Sequence, residues 1–329
     1  MEGIMREHVE AIECGETQVY KHVGVIPLFC RKLAPVEYLV LREALEKGLL
    51  AISEVSEGGH VPELKVLNNA DMPVLILDGE ELAGAKQNRV LNTTVLVKEH
   101  SVTIIPVSCT EQGRWSYTTN RFTDSDVLMS RNLRSVKNRA VQESLDASMG
   151  YRSDQGAIWN SIREQAVEAR VHSPTQAMKD IHEEKKEDIE QFEEHFPSLP
   201  DQKGILVMID GEVAGLDMVS WEKAYQLLHR KLVRSYVLDA ILAESKSKRK
   251  PSSEKAQVFL KAMLDCEVKR FESVGHGWDL RFEGKRMFGS ALEYHDSIIH
   301  MACFHQAKQT KQDDLAGYNR RANYRRRNL

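Results

Sequence analysis

An α+β fold on a mixed, mostly antiparallel β-sheet core, with a helical insertion and C-terminal helices, is the class this sequence predicts. Three observations lead there. Apolar, β-branched runs at 74–77, 90–97 and 102–107 are separated by polar turns. At about 124–200 the pattern changes to helical periodicity. Strand signals then return from Gly204 onward, interrupted by two helical segments. With 329 residues, 42% of them apolar, the chain can bury a sizeable core.

Taken in order, residues 18–29 read as a first strand. Residues 37–47 read as a helix with Tyr38, Leu41 and Leu45 on one face and Gly48 as its C-terminal cap. A strand at 49–55, a loop at Gly58-Gly59, a strand at 63–67 and a turn at 68–73 follow. The first 120 residues thus predict one mainly antiparallel sheet crossed by one helix. Helices are expected at about 125–148, 155–171 and 175–196, the last with Ile181, Ile189, Phe192 and Phe196 on one face, before Pro197-Ser-Leu-Pro200.

The chain then echoes itself. Ile76-Leu-Asp-Gly-Glu-Glu-Leu-Ala-Gly84 and Met208-Ile-Asp-Gly-Glu-Val-Ala-Gly215 share an apolar pair, Asp-Gly-Glu and Ala-Gly. Asp-Gly between apolar runs favours a tight hairpin, so the echo fits either two independent hairpins or an internal duplication. Ser220 is placed to cap a helix to about Ala243. A solvated linker at 244–254, a helix at 255–271 and short strands at 278–282, 286–292 and 297–304 complete one domain spanning 1–305. The remaining 306–329 is a basic tail with almost no apolar content, expected to be disordered in isolation.

Composition narrows the function classes. No apolar run approaches the ~20 residues of a membrane helix, and the first residues lack the basic start and apolar centre of a signal peptide. The five cysteines are dispersed with no CxxC pair, which fits a reducing, cytoplasmic setting. No metal motif occurs, and His295, His300 and His305 are five apart, a spacing that suits no shared metal. The net charge of −4 hides an asymmetry: from Gln306 onward seven Lys or Arg face two Asp, a surplus of five, leaving −9 on the body. Tyr318 and Tyr324 among these arginines would suit nucleic-acid phosphates and bases, although a solvated terminus is the simpler reading.

Two polar clusters bracket the central strands and can meet at one sheet end, because an antiparallel chain goes out and returns. The first runs from Asp78 to Arg89 and includes Glu80, Glu81, Gln87 and Asn88; the second is Cys109-Thr-Glu-Gln-Gly-Arg-Trp115. Glu80 and Glu81 are adjacent, so on a strand at most one aims into a shared site, with Glu111 as a partner. Three small residues, Ala83-Gly84-Ala85, let a backbone or ligand approach. Arg89 shares parity with Leu91, Thr93, Val95 and Val97, the face that reads as buried. A buried guanidinium needs a partner, which is either an ion pair with Glu111 or Glu81 or an anionic ligand. Arg114 beside Trp115 suits an anionic aromatic ligand. Cys109 is a nucleophile only with a base or cation beside it; otherwise it is a small core residue. Asp279 and Arg281 share a strand face and can join the site from the far end of the chain.

The Gly79-Glu80 turn, Gly84-Ala-Lys-Gln-Asn-Arg89 and Val107-Ser-Cys-Thr-Glu-Gln-Gly-Arg-Trp115 make the chain resemble the ARG-and-rhodanese/phosphatase-associated protein domain family. The resemblance runs more loosely from the first strand to about Phe304. It implies a role in NAD or ADP-ribose metabolism and carries over Glu80, Gln87, Asn88, Arg89, Cys109, Glu111, Arg114 and Trp115 by motif. The expectation is then a protein that binds a nucleotide-like small molecule, as a hydrolase of a phosphate-containing nucleotide derivative. Arg89 and Arg114 would hold phosphate, Trp115 a base, and Gln87 and Asn88 ribose hydroxyls, with Glu80 or Glu111 activating water. The alternatives are a sensor of such a ligand and a scaffold in which the polar cluster is a buried network. No cofactor is named by the sequence.

Overall fold

Residues 1, 3–32, 34, 36–56, 62–117, 119, 121–243 and 249–306 are described by the computed structural model. The fold is α+β. Among those residues, eight helices and eighteen strands are arranged as three sheets.

The largest sheet is nine-stranded and draws on both ends of the chain. Val23–Cys30 pairs directly with Gly204–Ile209, Val25 lying opposite Val207. The sheet continues through Glu212–Val219, Ser297–His305, Met287–Tyr294, Trp278–Glu283 and Glu267–Glu272. Everything from 31 to 203 therefore leaves this sheet at one strand and returns at its neighbour. That excursion builds a six-stranded antiparallel sheet, ordered Phe122–Leu128, Glu80–Gly84, Arg89–Leu91, Ser101–Cys109, Glu63–Asn68 and Leu50–Glu54. It also builds a small sheet of Val95–Val97, Val74–Ile76 and Leu39–Val40, the last pair parallel.

Apolar alternation explains the layers. In Val23–Cys30, Val23 and Val25 face the long helix Glu222–Leu242, packing with Leu228, Leu232 and Tyr236. Ile26 and Leu28 face the other way, onto helices Gly3–Glu10 and Ser253–Met263. The six-stranded sheet shows one face to the small sheet. Its other face, through Val90, meets Leu133, Ile158, Ile162 and Ile181 of the helical block. Two helices of that block start at side-chain caps: Ser130 accepts from Leu133 N, and Asp154 from Ala157 N. No helix among the described residues is long and apolar enough to cross a membrane.

Several expectations are corrected. The first 120 residues contribute to three sheets, not one. The run 90–97 is two strands in different sheets, because Asn92-Thr93-Thr94 turns the chain between them and each side chain finds a polar partner there. Phe122–Leu128 is a strand, and the helix expected from Ser125 begins at Arg131. The helix expected over 255–271 stops at Met263, and Glu267–Glu272 is an edge strand. Ser220 does not cap the long helix: its hydroxyl bonds Tyr38, and Trp221 holds the cap position. The two Asp-Gly echoes are different turns. Asp210-Gly211, with both φ positive, closes a true hairpin; Asp78-Gly79 has positive φ only at Gly79 and joins strands of two sheets. The Gly58-Gly59 loop, the first half of the linker at 244–248 and the tail at 307–329 lie outside the described residues.

Candidate functional site

The two sequence clusters do meet, at one end of the six-stranded sheet. Cys109 stands opposite Arg89 in the ladder, so the turn after Gly84 and the segment after Cys109 emerge side by side. Arg114 ties them together. It donates to Glu111 Oε2 at 2.9 Å through Nε, to Ala85 O at 2.8 Å and to Asn88 Oδ1 at 3.1 Å. Glu111 also accepts from Asn88 N at 3.3 Å. Burial alone would raise the Glu111 pKa, but the hydrogen bonds from Arg114 and Thr175 outweigh it and hold this carboxylate below its ordinary range. Glu111, Arg114 and Asn88 therefore build the pole by bonding to one another. The N–H groups of Gly84 and Ala85 are also engaged, by Asn88 Oδ1 and Thr119 Oγ1, so they form no anion nest. Gly84 is required here: its φ is +129°, and a Cβ would come within 2.8 Å of the Arg121 carbonyl.

Arg89 is different. Its guanidinium is fully buried and, among the described residues, makes one hydrogen bond, from Nη1 to Gln87 Oε1 at 3.1 Å, while Nε and Nη2 have no hydrogen-bond partner there. Glu54, at the end of the far edge strand, brings Oε1 to 3.9 Å from Nη2, too far for a hydrogen bond, and both its carboxylate oxygens are likewise unpartnered. The indole of Trp115, half-exposed, lies 5.8 Å from the Arg89 carbon centre. Lys86 sits between Trp115 and the equally exposed Tyr117, 5.4 and 5.1 Å from the two rings. The pole thus combines a buried cation with unused donors, a buried carboxylate with unused acceptors, and a solvent-facing aromatic pair. Glu54 and Tyr117 were not foreseen; parity along 50–54 puts Glu54 on the face of Leu50 and Ile52, which was the available signal.

The remaining expected residues lie elsewhere or are occupied. Cys109 is fully buried, and that burial pushes its thiol pKa up, against a smaller pull from Arg89. Glu80 is not at the pole. It pairs with Lys231 at 2.8 Å and accepts from Leu77 N, and burial raises its pKa despite Lys231. Its neighbour Glu81 points to the helical block and accepts from Thr110 at 2.6 Å; burial raises it to about 7.

Asp279 and Arg281 also fail to reach the pole. They belong to an interior junction where helix Arg131–Asp146 presents Arg134, Lys137 and Asn138 to the sheets, all fully buried. Arg281 binds Asp279 at 2.6 and 2.9 Å and Thr93 at 2.9 Å. Arg134 holds Asp217 with two bonds of 2.9 and 2.7 Å, joined by Tyr236 at 2.7 Å. Burial would raise Asp217, yet Arg134 outweighs it and brings the pKa down to about 2. Lys137 contacts Asp78. A separate surface cleft of about 500 Å³ lies between Lys98, Arg270, Trp278 and Tyr294, away from both clusters.

A family model matches residues 11–304, that of the ARPP-1 domain, the ARG and Rhodanese-Phosphatase-superfamily-associated Protein domain. The chain belongs to this family. The match spans the ARPP-1 pole, the interior junction and all three sheets. No curated protein and no solved structure matches the chain.

Proposed function

We propose that this ARPP-1 chain binds a nucleotide-like ligand of the NAD or ADP-ribose type at the Arg89–Trp115 pole. Arg89 takes a phosphate, Glu54 and Gln87 take ribose hydroxyls, and Trp115 stacks on the base. One observation carries this reading: among the described residues, Arg89 keeps two guanidinium nitrogens without hydrogen bonds although it is fully buried. Each unsatisfied buried donor costs on the order of 1–3 kcal/mol, more on a charged group, and a phosphate supplies the missing acceptors. Glu54 supplies the complement, two acceptors without a hydrogen-bond partner among the described residues, the nearer 3.9 Å from Arg89 Nη2. The half-exposed indole marks the solvent-facing side of the pole.

Binding without turnover fits the pole best. Cys109 is kept protonated by burial, Glu111 is committed to Arg114, and Glu80 to Lys231. Hydrolysis has one supporting observation, the Glu54 carboxylate, which has both oxygens free to activate a water. Five unpaired cysteines, four of them buried, support a reducing, cytoplasmic setting.

A thermal-shift titration with ADP-ribose, NAD, AMP and inorganic phosphate tests the reading. ADP-ribose is expected to raise the melting temperature by mass action, and Trp115→Ala to weaken the response by about tenfold without lowering the unliganded melting temperature. No shift with any of the four at millimolar concentration would contradict it.

A further inference from the structure

The three ion pairs of the interior junction are not solvated alike. Asp217 receives Arg134 twice, Tyr236 and His300. Asp279 receives Arg281 twice and Thr93. Among the described residues, Asp78 has Lys137 alone, on Oδ1, and its Oδ2 has no partner. Lys137 in turn bonds, among the described residues, only Asp78 and, at 3.2 Å, Asn92 O. Both side chains are entirely closed to solvent. A carboxylate and an ammonium with so few hydrogen bonds are poorly supported as charges in a low-dielectric interior, and passing the proton from Lys137 to Asp78 removes both. The uncharged pair, an amine against a carboxylic acid, is the reactant pair of an amide condensation. The guanidinium partners of Asp217 and Asp279 have no such route.

We propose that Lys137 and Asp78 condense into an intramolecular isopeptide bond, tying helix Arg131–Asp146 to the turn that precedes strand Glu80–Gly84. The neutral Nζ attacks Cγ of protonated Asp78; the C–N bond forms and the C–Oδ1 bond breaks. Oδ1 departs as water, carrying the proton it received from Lys137 and a second one that the amine loses as the amide forms, and nothing is oxidised or reduced. Fixed contact replaces a bimolecular encounter, which in well-oriented intramolecular reactions is equivalent to about 10⁵–10⁸ M reactant. Burial and the Arg281 guanidinium push the Lys137 pKa well below its ordinary value, against Asp279, which favours the free amine. Asp279 acts on Lys137 only through its charge, its two oxygens being held by Arg281 and Thr93. The product removes two buried charges and cross-links segments 59 residues apart.

The test is the intact mass of the full chain under denaturing conditions, followed by a peptide map. The expected result is a chain lighter than its sequence by one water, with a branched peptide joining Asp78 to Lys137. Lys137→Arg is expected to restore the full mass. Asp78 precedes Gly79, a pair that can also lose water as a cyclic imide, although Gly79 N is engaged with Leu91 O at 3.0 Å. A water-light chain that yields only linear peptides, or that stays water-light in Lys137→Arg, overturns the proposal. So does a wild-type chain at its full sequence mass.

Discussion

Arg134 and Arg89 are both fully buried guanidiniums, and they stand in opposite circumstances. Arg134 grips Asp217 in a bidentate pair reinforced by a tyrosine, at the junction of a helix and the largest sheet. Arg89 has a carboxylate nearby but not in hydrogen-bond contact, and an indole over it at the solvent boundary. Burial of charge therefore does not itself mark function here. The informative quantity is how many hydrogen-bonding positions the protein leaves unfilled, and whether solvent can be reached from them.

The largest expected effect breaks the satisfied pair. Asp217→Ala leaves Arg134 buried without a counter-charge and should lower stability by about 3–5 kcal/mol, read by chemical denaturation. A loss below 1 kcal/mol would mean that Arg134 is not held as described. The acid limb should show the same pair. With its folded pKa near 2 against an ordinary 3.8, Asp217 contributes stability that is present above 3.8 and lost as the pH falls through 2.

Glu81 gives the next effect, with the opposite sign. Its folded pKa of about 7 lies above the ordinary 4.5, so its contribution is present below 4.5 and lost as the pH rises through 7. In Glu81→Gln that decline should flatten by up to about 3 kcal/mol, measured by urea midpoints across the window. An unchanged pH profile would show that Glu81 titrates normally.

Legibility from sequence divides along the same line. Arg89 was readable as buried because strand parity depends only on a local period of two, and motif proximity on either side of one strand was enough to gather Gln87, Asn88 and Arg114 at the same sheet end, with Gln87 on Arg89 itself. Glu54 was not readable as its neighbour, since that approach spans two intervening strands of a sheet whose order no local pattern encodes. The interior junction was invisible for the same reason. Arg134, Lys137 and Asn138 form a polar stripe at helical spacing, which by itself reads as a solvated face; only pairing with Asp217, Asp78 and Ser290 inverts it. The insertion of 31–203 between two hydrogen-bonded strands also leaves no signature in periodicity.

Smaller effects belong to the pole. Replacing Arg89 and Glu54 together, as Arg89→Met with Glu54→Gln, should cost less than about 1 kcal/mol or stabilise, because two under-bonded charges leave the interior at once. A large loss in the double variant would make the pair structural, like Arg134 and Asp217. Smallest of all, Trp115→Ala should change unliganded stability by no more than about 0.5 kcal/mol, as expected for a half-exposed ring outside the core clusters.

The central claim is that Arg89 keeps its donors open for a ligand. Calorimetric titration of ADP-ribose into wild type and Arg89→Lys tests it most directly, since lysine keeps the charge and loses the guanidinium fork. Saturable binding to wild type, weakened at least tenfold in Arg89→Lys, is the predicted result. Equal affinity in both proteins, or no binding heat in wild type, would contradict it.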